Sequence, residues 1–297
     1  MFHKTASLHC KNMTFKKQIS AIALSLLLLA FKQSALAAES PRIITLSPHM
    51  TEMVYDLGLE EQLVATDDAS NYPDEVKTIA KVGSGLNPNH ELLLLYKPDI
   101  LLHFTPNSGL EDLFPSKNIK LISSQPNSVP ALFDDWHEVL ATAQQDEKKR
   151  IEIEEKIAAL ELEWQILVAN YKNKASKKVF FLISDQPVFS LSDNSFLGQA
   201  IKSCHVENIF GEIGQASFIV DPEGLLINKP DIVIHGYNAT SPEGKERSRQ
   251  SALTLFKNIG IKLGAEQLVS VDVDILHRPT LRFIKALPQI CGAIHGE

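Results

Sequence analysis

The stretch from Glu91 to His103, E-L-L-L-L-Y-K-P-D-I-L-L-H, recurs from Glu223 to His235 as E-G-L-L-I-N-K-P-D-I-V-I-H. Glu, Lys, Pro, Asp, Ile and His keep their positions in both copies. Proline ends a helix and biases the residue before it towards extended backbone. The apolar run after each Lys-Pro-Asp is typical of a parallel strand that is buried on both faces. Each copy therefore predicts the end of an amphipathic helix, a turn and a buried strand, and the two copies predict two similar lobes.

Patterns that favour strands alternate with patterns that favour helices on either side of both copies. In the first half, a strand pattern at 42–47 precedes a helix pattern at 48–58, and another strand pattern lies at 119–123. In the second half, strand patterns lie at 179–183 and 268–271. This alternation indicates parallel sheets with helices on their faces. We therefore predict an α/β fold of two Rossmann-like lobes, and the cleft between two lobes is a favoured ligand site.

The segment between the two halves has a different pattern. Apolar residues recur there at steps of three and four along one helical face, at Ile153, Ile157, Leu160, Trp164, Leu167 and Tyr171. A coiled-coil dimer is the competing interpretation, but it needs more sustained heptads. We expect one long rigid helix within residues 144–174, which joins an N-terminal lobe (38–143) to a C-terminal lobe (175–297).

The N-terminus has the features of an export signal. Lys16 and Lys17 precede an apolar run at 19–31, and Ala35-Leu36-Ala37 has the small-x-small pattern of a cleavage site. We predict a cleavable signal peptide at residues 1–37 and a periplasmic location; an uncleaved membrane anchor is the alternative. The first 37 residues carry five of the 29 Lys and Arg residues and none of the 36 Asp and Glu residues, so the remainder has a formal charge of −12. This charge disfavours nucleic acid and anionic lipid as partners.

Two cysteines remain after the predicted cleavage site, Cys204 and Cys291. The periplasm is oxidising, so an even pair in an exported protein favours a disulfide. Two separate buried thiols are the alternative. Metal binding by the pair is disfavoured, because no nearby Cys or His completes a set of ligands.

Several motifs stand in a fixed order along the mature chain and together carry a family resemblance. They are R-I-I-T-L-S-P-H-M-T-E-M at 42–53, Y-P at 72–73, V-G-S-G-L-N-P at 82–88, both K-P-D-I segments, E-N-I-F-G at 207–211 and H-R-P-T-L-R at 277–282. The ordered set resembles the periplasmic substrate-binding proteins of ABC importers for cobalamin, siderophores and haem, and within them the cobalamin-binding branch. The resemblance covers nearly the whole mature chain.

The resemblance implies a monomeric binding protein without a cofactor of its own. It implies capture of cobalamin or a related corrinoid in the cleft and delivery to the permease and ATPase of an ABC importer, so that the protein meets the membrane only through the permease. Glu91 and Glu223 match the carboxylates that dock onto permease arginines in that branch, and a carboxylate can accept a bidentate Arg pair. The alternative is that both are ordinary acids in the first turn of a helix. The cysteine pair of the branch also matches Cys204 and Cys291.

Ligand contacts are expected in the loops that follow the carboxyl ends of the strands. In the first lobe the candidates are Ser47, Pro48, His49, Ser84 and Phe104. In the second lobe they are Phe189, Phe218, Tyr237, Asp274 and Arg278, of which the last two match an acid and a base near the C-terminus in the cobalamin-binding branch. Ala69 and Ser84 stand where that branch has aromatic residues, which leaves room for a different corrinoid or another macrocycle.

Four histidines are also candidates to approach the cleft, namely His49, His103, His235 and His277. One of them could bind a ligand's metal through a neutral imidazole, or they could be polar residues bonded within the protein. A dedicated metal site needs three or four convergent ligands, which this spacing does not predict.

Other function classes have less support in the sequence. A haem-binding or ferric-siderophore-binding protein of the same fold is the main alternative. A periplasmic enzyme is disfavoured, because the chain has no G-x-S-x-G, H-E-x-x-H or Gly-rich phosphate loop. A structural or signalling module is disfavoured by the signal peptide and the cleft pattern. We therefore expect binding without catalysis.

Overall fold

The computed structural model describes residues 40–104, 109–114, 119–238, 241 and 243–297. The predicted signal peptide at residues 1–37 lies outside these ranges. The elements of the first half are, in chain order, β1 (Ile43–Thr45), α1 (Pro48–Asp56), β2 (Leu63–Thr66), β3 (Gly83–Ser84), β4 (Asn87–Pro88), α2 (His90–Tyr96), β5 (Ile100–His103), α3 (Leu110–Leu113), β6 (Lys120–Ser123), α4 (Val129–Ala143) and α5 (Glu147–Tyr171).

The second half repeats the alternation of strands and helices. Its elements are β7 (Lys177–Leu182), β8 (Ser184–Asp185), β9 (Val188–Leu191), α6 (Phe196–Ile201), β10 (Val206–Asn208), β11 (Ser217–Ile219), α7 (Pro222–Ile227), β12 (Ile232–Tyr237), α8 (Gly244–Ile259), β13 (Leu268–Asp272), α9 (Val273–Leu276) and α10 (Leu281–His295). No helix in the described part of the chain is both long enough and apolar enough to cross a bilayer.

Each half contains a four-stranded parallel sheet with the same strand order. The first sheet has the order β2-β1-β5-β6 and the second has the order β10-β7-β12-β13. In both sheets the second strand along the chain lies at one edge, next to the first, and the third and fourth follow on the other side. The predicted α/β fold of two lobes is therefore confirmed, and the repeated sequence supplies the third strand of each sheet.

The conserved aspartate of each repeat ties its turn to the neighbouring strand. Asp99 Oδ2 accepts a hydrogen bond from the backbone N–H of Arg42 at 2.8 Å, and the N–H of Asp99 donates to the Arg42 carbonyl at 2.9 Å. In the second lobe, Asp231 makes the equivalent pair of bonds with Lys178, both at 2.8 Å. Each Lys-Pro-Asp turn thus satisfies backbone groups at the start of the sheet's first strand, which would otherwise lack partners.

Helix α5 is the predicted connection between the lobes. Asp146, the residue before the helix, caps it: its side chain accepts hydrogen bonds from the backbone N–H groups of Lys148 and Lys149. The six apolar residues predicted to share one helical face all belong to one core, with Ile157, Leu167 and Tyr171 buried and the other three half-buried against it. That core also contains Ile43 of the first sheet and Phe181 of the second, so it runs through both lobes.

Separate apolar clusters cover the other face of each sheet. In the first lobe Leu93 packs with Ile44 and Leu101, and in the second lobe Phe256 packs with Phe180 and Val233. Cys204 and Cys291 form a disulfide, which joins the end of α6 to α10 across 87 residues. The predicted pairing is confirmed, and both cysteines are fully buried.

Candidate functional site

The first lobe has a cavity of about 300 Å³ at the carboxyl ends of its strands. The loops that follow β1, β2 and β5 form it together with the β3–β4 hairpin. Its lining includes the predicted residues Ser47, Pro48, Ser84 and Phe104, together with Leu46, Asp67, Asp68, Ala69, Gly85 and Leu86. Four of the five residues predicted for this wall therefore meet at one surface, as expected for loops at one edge of a parallel sheet.

A short hairpin formed by β3 and β4 shapes this cavity. Its residue Gly85 lies so close to β1 that an added Cβ would stand 2.0 Å from the Leu46 carbonyl oxygen and 3.5 Å from Phe104 Cε1. Only glycine permits this approach. The next residue, Leu86, lines the cavity with 71% of its surface exposed. The hairpin thus presents an aliphatic side chain to the cavity.

His49 lies beside the cavity in a chain of polar contacts. Its Nδ1 is 2.9 Å from Ser47 Oγ, and its Nε2 is 3.4 Å from Ser124 Oγ. Ser124 in turn donates to Asp135 Oδ2 at 2.6 Å. Burial lowers the pKa of His49 to about 4, and the positive charge of Arg278 contributes to the decrease. The imidazole is therefore neutral at pH 7 and is engaged with protein groups.

The second lobe has a more polar cavity of about 420 Å³ at the carboxyl ends of β7 and β12. The predicted residue Tyr237 lines it. Polar side chains supply much of the remaining surface, among them Asp185, Asn238, Ser241, Arg247, Ser248 and Ser251. The two cavities differ in character, since the first is almost entirely apolar and the second combines apolar groups with hydroxyl, amide and charged groups.

His235 lies under the second cavity and is bonded on both ring nitrogens. Ser248 donates its hydroxyl proton to the Gly236 carbonyl at 2.7 Å, so His235 Nδ1, at 3.0 Å, must donate to the Ser248 oxygen. His235 Nε2 then accepts from Ser270 Oγ at 2.8 Å. Burial lowers the pKa of His235, which agrees with this neutral form. His235 therefore has a structural role near the carboxyl end of strand β12.

The two phenylalanines predicted for the second lobe occupy different environments. Strand β9 pairs Phe189 with Ser184, a cavity-lining residue, and β11 places Ile219 opposite Phe189 on the same face. Phe189 is half-buried and Ile219 is 63% exposed, and neither is among the residues that line the second cavity. Phe218 points to the other face, is 8% exposed and packs edge-on against Phe210 in the core. The structure therefore gives Phe218 a packing role in place of the predicted ligand contact, and Ile219 takes the exposed position.

Asp274 and Arg278 meet the first lobe directly. Arg278 Nη2 donates to Asp274 Oδ1 at 2.9 Å, and its Nη1 donates to Asn71 Oδ1 at 2.8 Å and to Glu52 Oε1 at 3.1 Å. Asn71 also donates to Asp274 Oδ2 at 3.3 Å. The predicted acid and base therefore lie where the two lobes touch, and they form part of a polar bridge across the cleft.

Glu52 was not among the predicted site residues. It is 2% exposed on α1 and accepts from Arg282 Nε at 2.8 Å and Arg282 Nη2 at 2.5 Å as well as from Arg278. Tyr72 stacks on Arg282, with 3.9 Å between the guanidinium carbon and the ring centroid. A clue was present in the sequence: Glu52 lies between the apolar residues Met50 and Met53 on a helix, and a buried carboxylate requires a cationic partner.

Glu91 and Glu223 occupy equivalent positions on separate lobes. Each is the second residue of its helix, α2 or α7, and each is exposed. Next to each lies a pair of exposed aliphatic residues at matching positions of the repeat, Leu94 and Leu95 in the first lobe and Leu226 and Ile227 in the second. Each lobe thus presents a carboxylate beside a small apolar surface.

The side chains that the structure describes include no cluster of three or more His, Cys, Asp or Glu residues suited to a metal ion. His277 is exposed in the structure, and partial desolvation of its ring lowers its pKa. His103 is buried at the end of β5.

Comparison with known proteins places this arrangement in a family. A family model described as a periplasmic binding protein matches residues 43–253, which include the first sheet, the connecting helix and most of the second sheet. The chain belongs to the periplasmic binding protein family. The resemblance predicted from the ordered motifs is thereby confirmed at the level of the family.

Individual relatives extend the comparison to the whole chain. The vitamin B12-binding protein of Vibrio vulnificus strain CMCP6 is 26% identical over 270 residues, which cover 90% of this chain and 95% of the relative. Among solved structures, the periplasmic vitamin B12-binding protein BtuF of Vibrio cholerae has a TM-score of 0.69 at 24% identity and covers 86% of this chain and 96% of its own. The periplasmic haem-binding protein HutB of Vibrio cholerae has a TM-score of 0.66 at 18% identity, covering 86% and 99%. Both structures share the two-lobed fold.

Proposed function

We propose that this protein is a periplasmic solute-binding protein that captures cobalamin or a related corrinoid between its lobes and delivers it to an ABC permease. The observation that carries the proposal is the pair of cavities, about 300 and 420 Å³, at the carboxyl edges of two sheets whose loops touch through Asn71, Asp274 and Arg278. Ligand sites favour such edges and such gaps between domains. Relatives named as vitamin B12-binding proteins, matched over most of their length, support the corrinoid as the ligand.

The character of the two walls fits a large amphipathic molecule. Leu86 and Phe104 offer apolar contact on the first wall, and the hydroxyl, amide and charged groups around Tyr237 offer polar contact on the second. A macrocycle with an apolar face and hydrogen-bonding groups at its edge could satisfy both. In this proposal the corrinoid is a cargo, no cofactor is needed, and the ligand leaves chemically unchanged.

Haem or a ferric siderophore is the alternative ligand class. Ala69 and Ser84 favour it, because they line the first cavity where the cobalamin-binding branch has aromatic residues. Two of the four candidate histidines, His49 and His235, weigh against iron coordination, since serines bind both of their ring nitrogens.

Calorimetry of the mature protein tests the ligand. The purified protein is titrated with cyanocobalamin, cobinamide, haem and a hydroxamate siderophore, and we expect saturable binding of one or both corrinoids. Two exposed leucines provide a matched pair of variants. Leu86→Ala, in the cavity, should weaken binding severalfold, and Leu162→Ala, 56% exposed on α5, should leave it unchanged. A shifted haem absorbance band without any response to corrinoids would establish the alternative instead.

The partner in this proposal is a membrane complex of permease and ATPase, met by a monomer after export through the signal peptide at residues 1–37. Glu91 and Glu223 would dock on it, one from each lobe, with the aliphatic pairs beside them as the apolar part of the contact. Equivalent surfaces on two similar lobes fit a partner that presents the same docking surface twice. Exposed carboxylates can accept bidentate bonds from arginines, which fixes orientation.

Reconstituted transport tests the docking. The double variant Glu91→Ala/Glu223→Ala should bind its ligand normally and deliver it poorly to the permease and ATPase in proteoliposomes. The control is Glu155→Ala/Glu163→Ala, which removes the same charge from exposed positions on α5 and should transport normally. Equal transport by both double variants would contradict the docking role.

A further inference from the structure

Glu52 belongs to the first lobe, but its partners belong to the second. Its two carboxylate oxygens accept three hydrogen bonds, from Arg278 Nη1 at 3.1 Å, Arg282 Nη2 at 2.5 Å and Arg282 Nε at 2.8 Å. Only 2% of its side chain is exposed. A carboxylate at such a position is tolerated because two cations compensate the loss of hydration.

Arg278 is the member of this cluster that reaches the cleft. Its guanidinium bridges Glu52 and Asn71 of the first lobe and Asp274 of its own lobe. Two of those partners are exposed to solvent: Asn71 is an exposed loop residue, and the Asp274 side chain is 39% exposed. Glu52 is the buried partner of Arg278, because it projects from the buried face of α1.

Arg282 is the second arginine that binds the Glu52 carboxylate. It binds both Glu52 oxygens, and its guanidinium lies flat on the Tyr72 ring. A planar cation held between a carboxylate and an aromatic face cannot rotate freely. Arg282 therefore limits the positions that Glu52 can adopt, and through Glu52 the positions of Arg278.

We propose that Glu52 is a positioning residue for ligand capture: it holds the Arg278 guanidinium across the cleft, pointed at hydrogen-bond acceptors on the edge of the ligand. The inference rests on the proposed function, because it assigns Arg278 to the ligand. It adds a residue of the opposite lobe to the binding site and gives the buried charge a role beyond holding the lobes together. The ligand feature it recognises is an oxygen acceptor, such as an amide carbonyl or a phosphate.

Variants of the cluster separate positioning from simple stabilisation. Glu52→Gln leaves two arginines without their carboxylate and should lower both the melting temperature and the affinity for cyanocobalamin. Glu52→Gln/Arg282→Gln removes one positive and one negative charge together. This balanced variant should recover most of the melting temperature, but its affinity should stay about tenfold or more below the parent, because Arg278 still lacks its anchor. Recovery of both quantities would overturn the proposal.

A second ion pair in the same lobe as Arg278 provides the control. Lys202 lies 2.7 Å from the carboxylate of Asp193, away from both cavities described above. The balanced variant Asp193→Asn/Lys202→Gln should bind cyanocobalamin with the parent's affinity. Equal losses of affinity in the two balanced variants would mean that any disturbed ion pair weakens binding, and would also overturn the proposal.

A crystal structure of Glu52→Gln/Arg282→Gln without ligand tests the positioning independently of the ligand's identity. We expect the Arg278 guanidinium to leave hydrogen-bonding distance of Asn71; an unmoved guanidinium would refute the inference. Failure of the parent protein to bind cyanocobalamin would count against the proposed function instead, and the position of Arg278 in this crystal would still decide the inference.

Discussion

Single residues decide the shape of the first cavity, and Gly85 decides it most directly. The Gly85→Ala substitution would place a methyl group 2.0 Å from the Leu46 carbonyl oxygen, so the hairpin must move away from β1. We expect a loss of stability of about 1–3 kcal/mol and weaker ligand binding, because Ser84 and Leu86 move with the hairpin. Chemical denaturation and calorimetry measure the two effects. Gly214→Ala is the control, since nothing lies within 4 Å of an added Cβ there; equal effects at both positions would contradict this account.

His49 should give the protein a pH-dependent stability. Its pKa in the folded protein is lowered to about 4 from 6.5, mainly by burial. An unfolded chain takes up a proton below pH 6.5 that the folded protein refuses, so the contribution of neutral His49 is present above pH 6.5 and is lost as the pH falls to about 4. The loss is on the order of 3 kcal/mol at most.

A comparison with His49→Gln isolates this contribution. The stability difference between the parent and the variant should shrink as the pH falls from 6.5 to 4, as measured by urea unfolding at each pH. The NMR titration of the His49 ring should show no protonation until the pH is well below 6. A constant stability difference across this range would show that His49 is not the titrating group.

For single residues, the sequence predicted which loops line the cavity better than it predicted the directions in which side chains point. Ser47, Pro48 and Phe104 follow strands of the parallel sheet, whose topology brings their loops together, whereas Ser84 belongs to the β3–β4 hairpin. Phe218 and Ile219 show the limit, because neighbouring residues of a strand point to opposite faces and the sequence did not establish the register of β11. Glu52 was missed because its partners lie 226 and 230 residues away.

Among the structural elements, the two Lys-Pro-Asp turns test whether the repeated sequence contributes equally to folding stability in each lobe. Asp99→Ala and Asp231→Ala each remove an acceptor from a backbone N–H at the start of a first strand. We expect each to cost about 1 kcal/mol of folding stability, and the double variant to cost their sum within about 0.5 kcal/mol, because the sites lie in separate lobes. Asparagine at either position keeps an acceptor oxygen and should cost less. A clearly unequal pair of losses would mean that the turns are alike in sequence only.

The elements themselves were largely predictable. The strand patterns at 119–123 and 268–271 correspond to β6 and β13, and the apolar stripe found the connecting helix within residues 144–174. Short elements such as β8 and α9 were not predicted, because two to four residues carry too little periodicity. Pro288 lies inside the last helix, and α10 continues through it to His295.

For the whole molecule, the disulfide is the covalent constraint of the second lobe. Cys204→Ala/Cys291→Ala opens a loop of 87 residues, and the chain-entropy relation gives a loss of about 4–5 kcal/mol. Urea unfolding of the parent and the variant measures the loss, with reduction of the parent as a second route to the same state. A loss below about 1 kcal/mol would mean that the surrounding core already imposes the constraint.

The apolar core that α5 shares with both sheets affects how the chain folds. Residues of both sheets and of the connecting helix share that core. An N-terminal half on its own would therefore expose apolar core residues to water. Neither half can complete its burial until the other arrives. In the proposed export, the whole polypeptide has to arrive before it acquires its mature fold, and a chain interrupted after Tyr171 would be prone to aggregation and proteolysis.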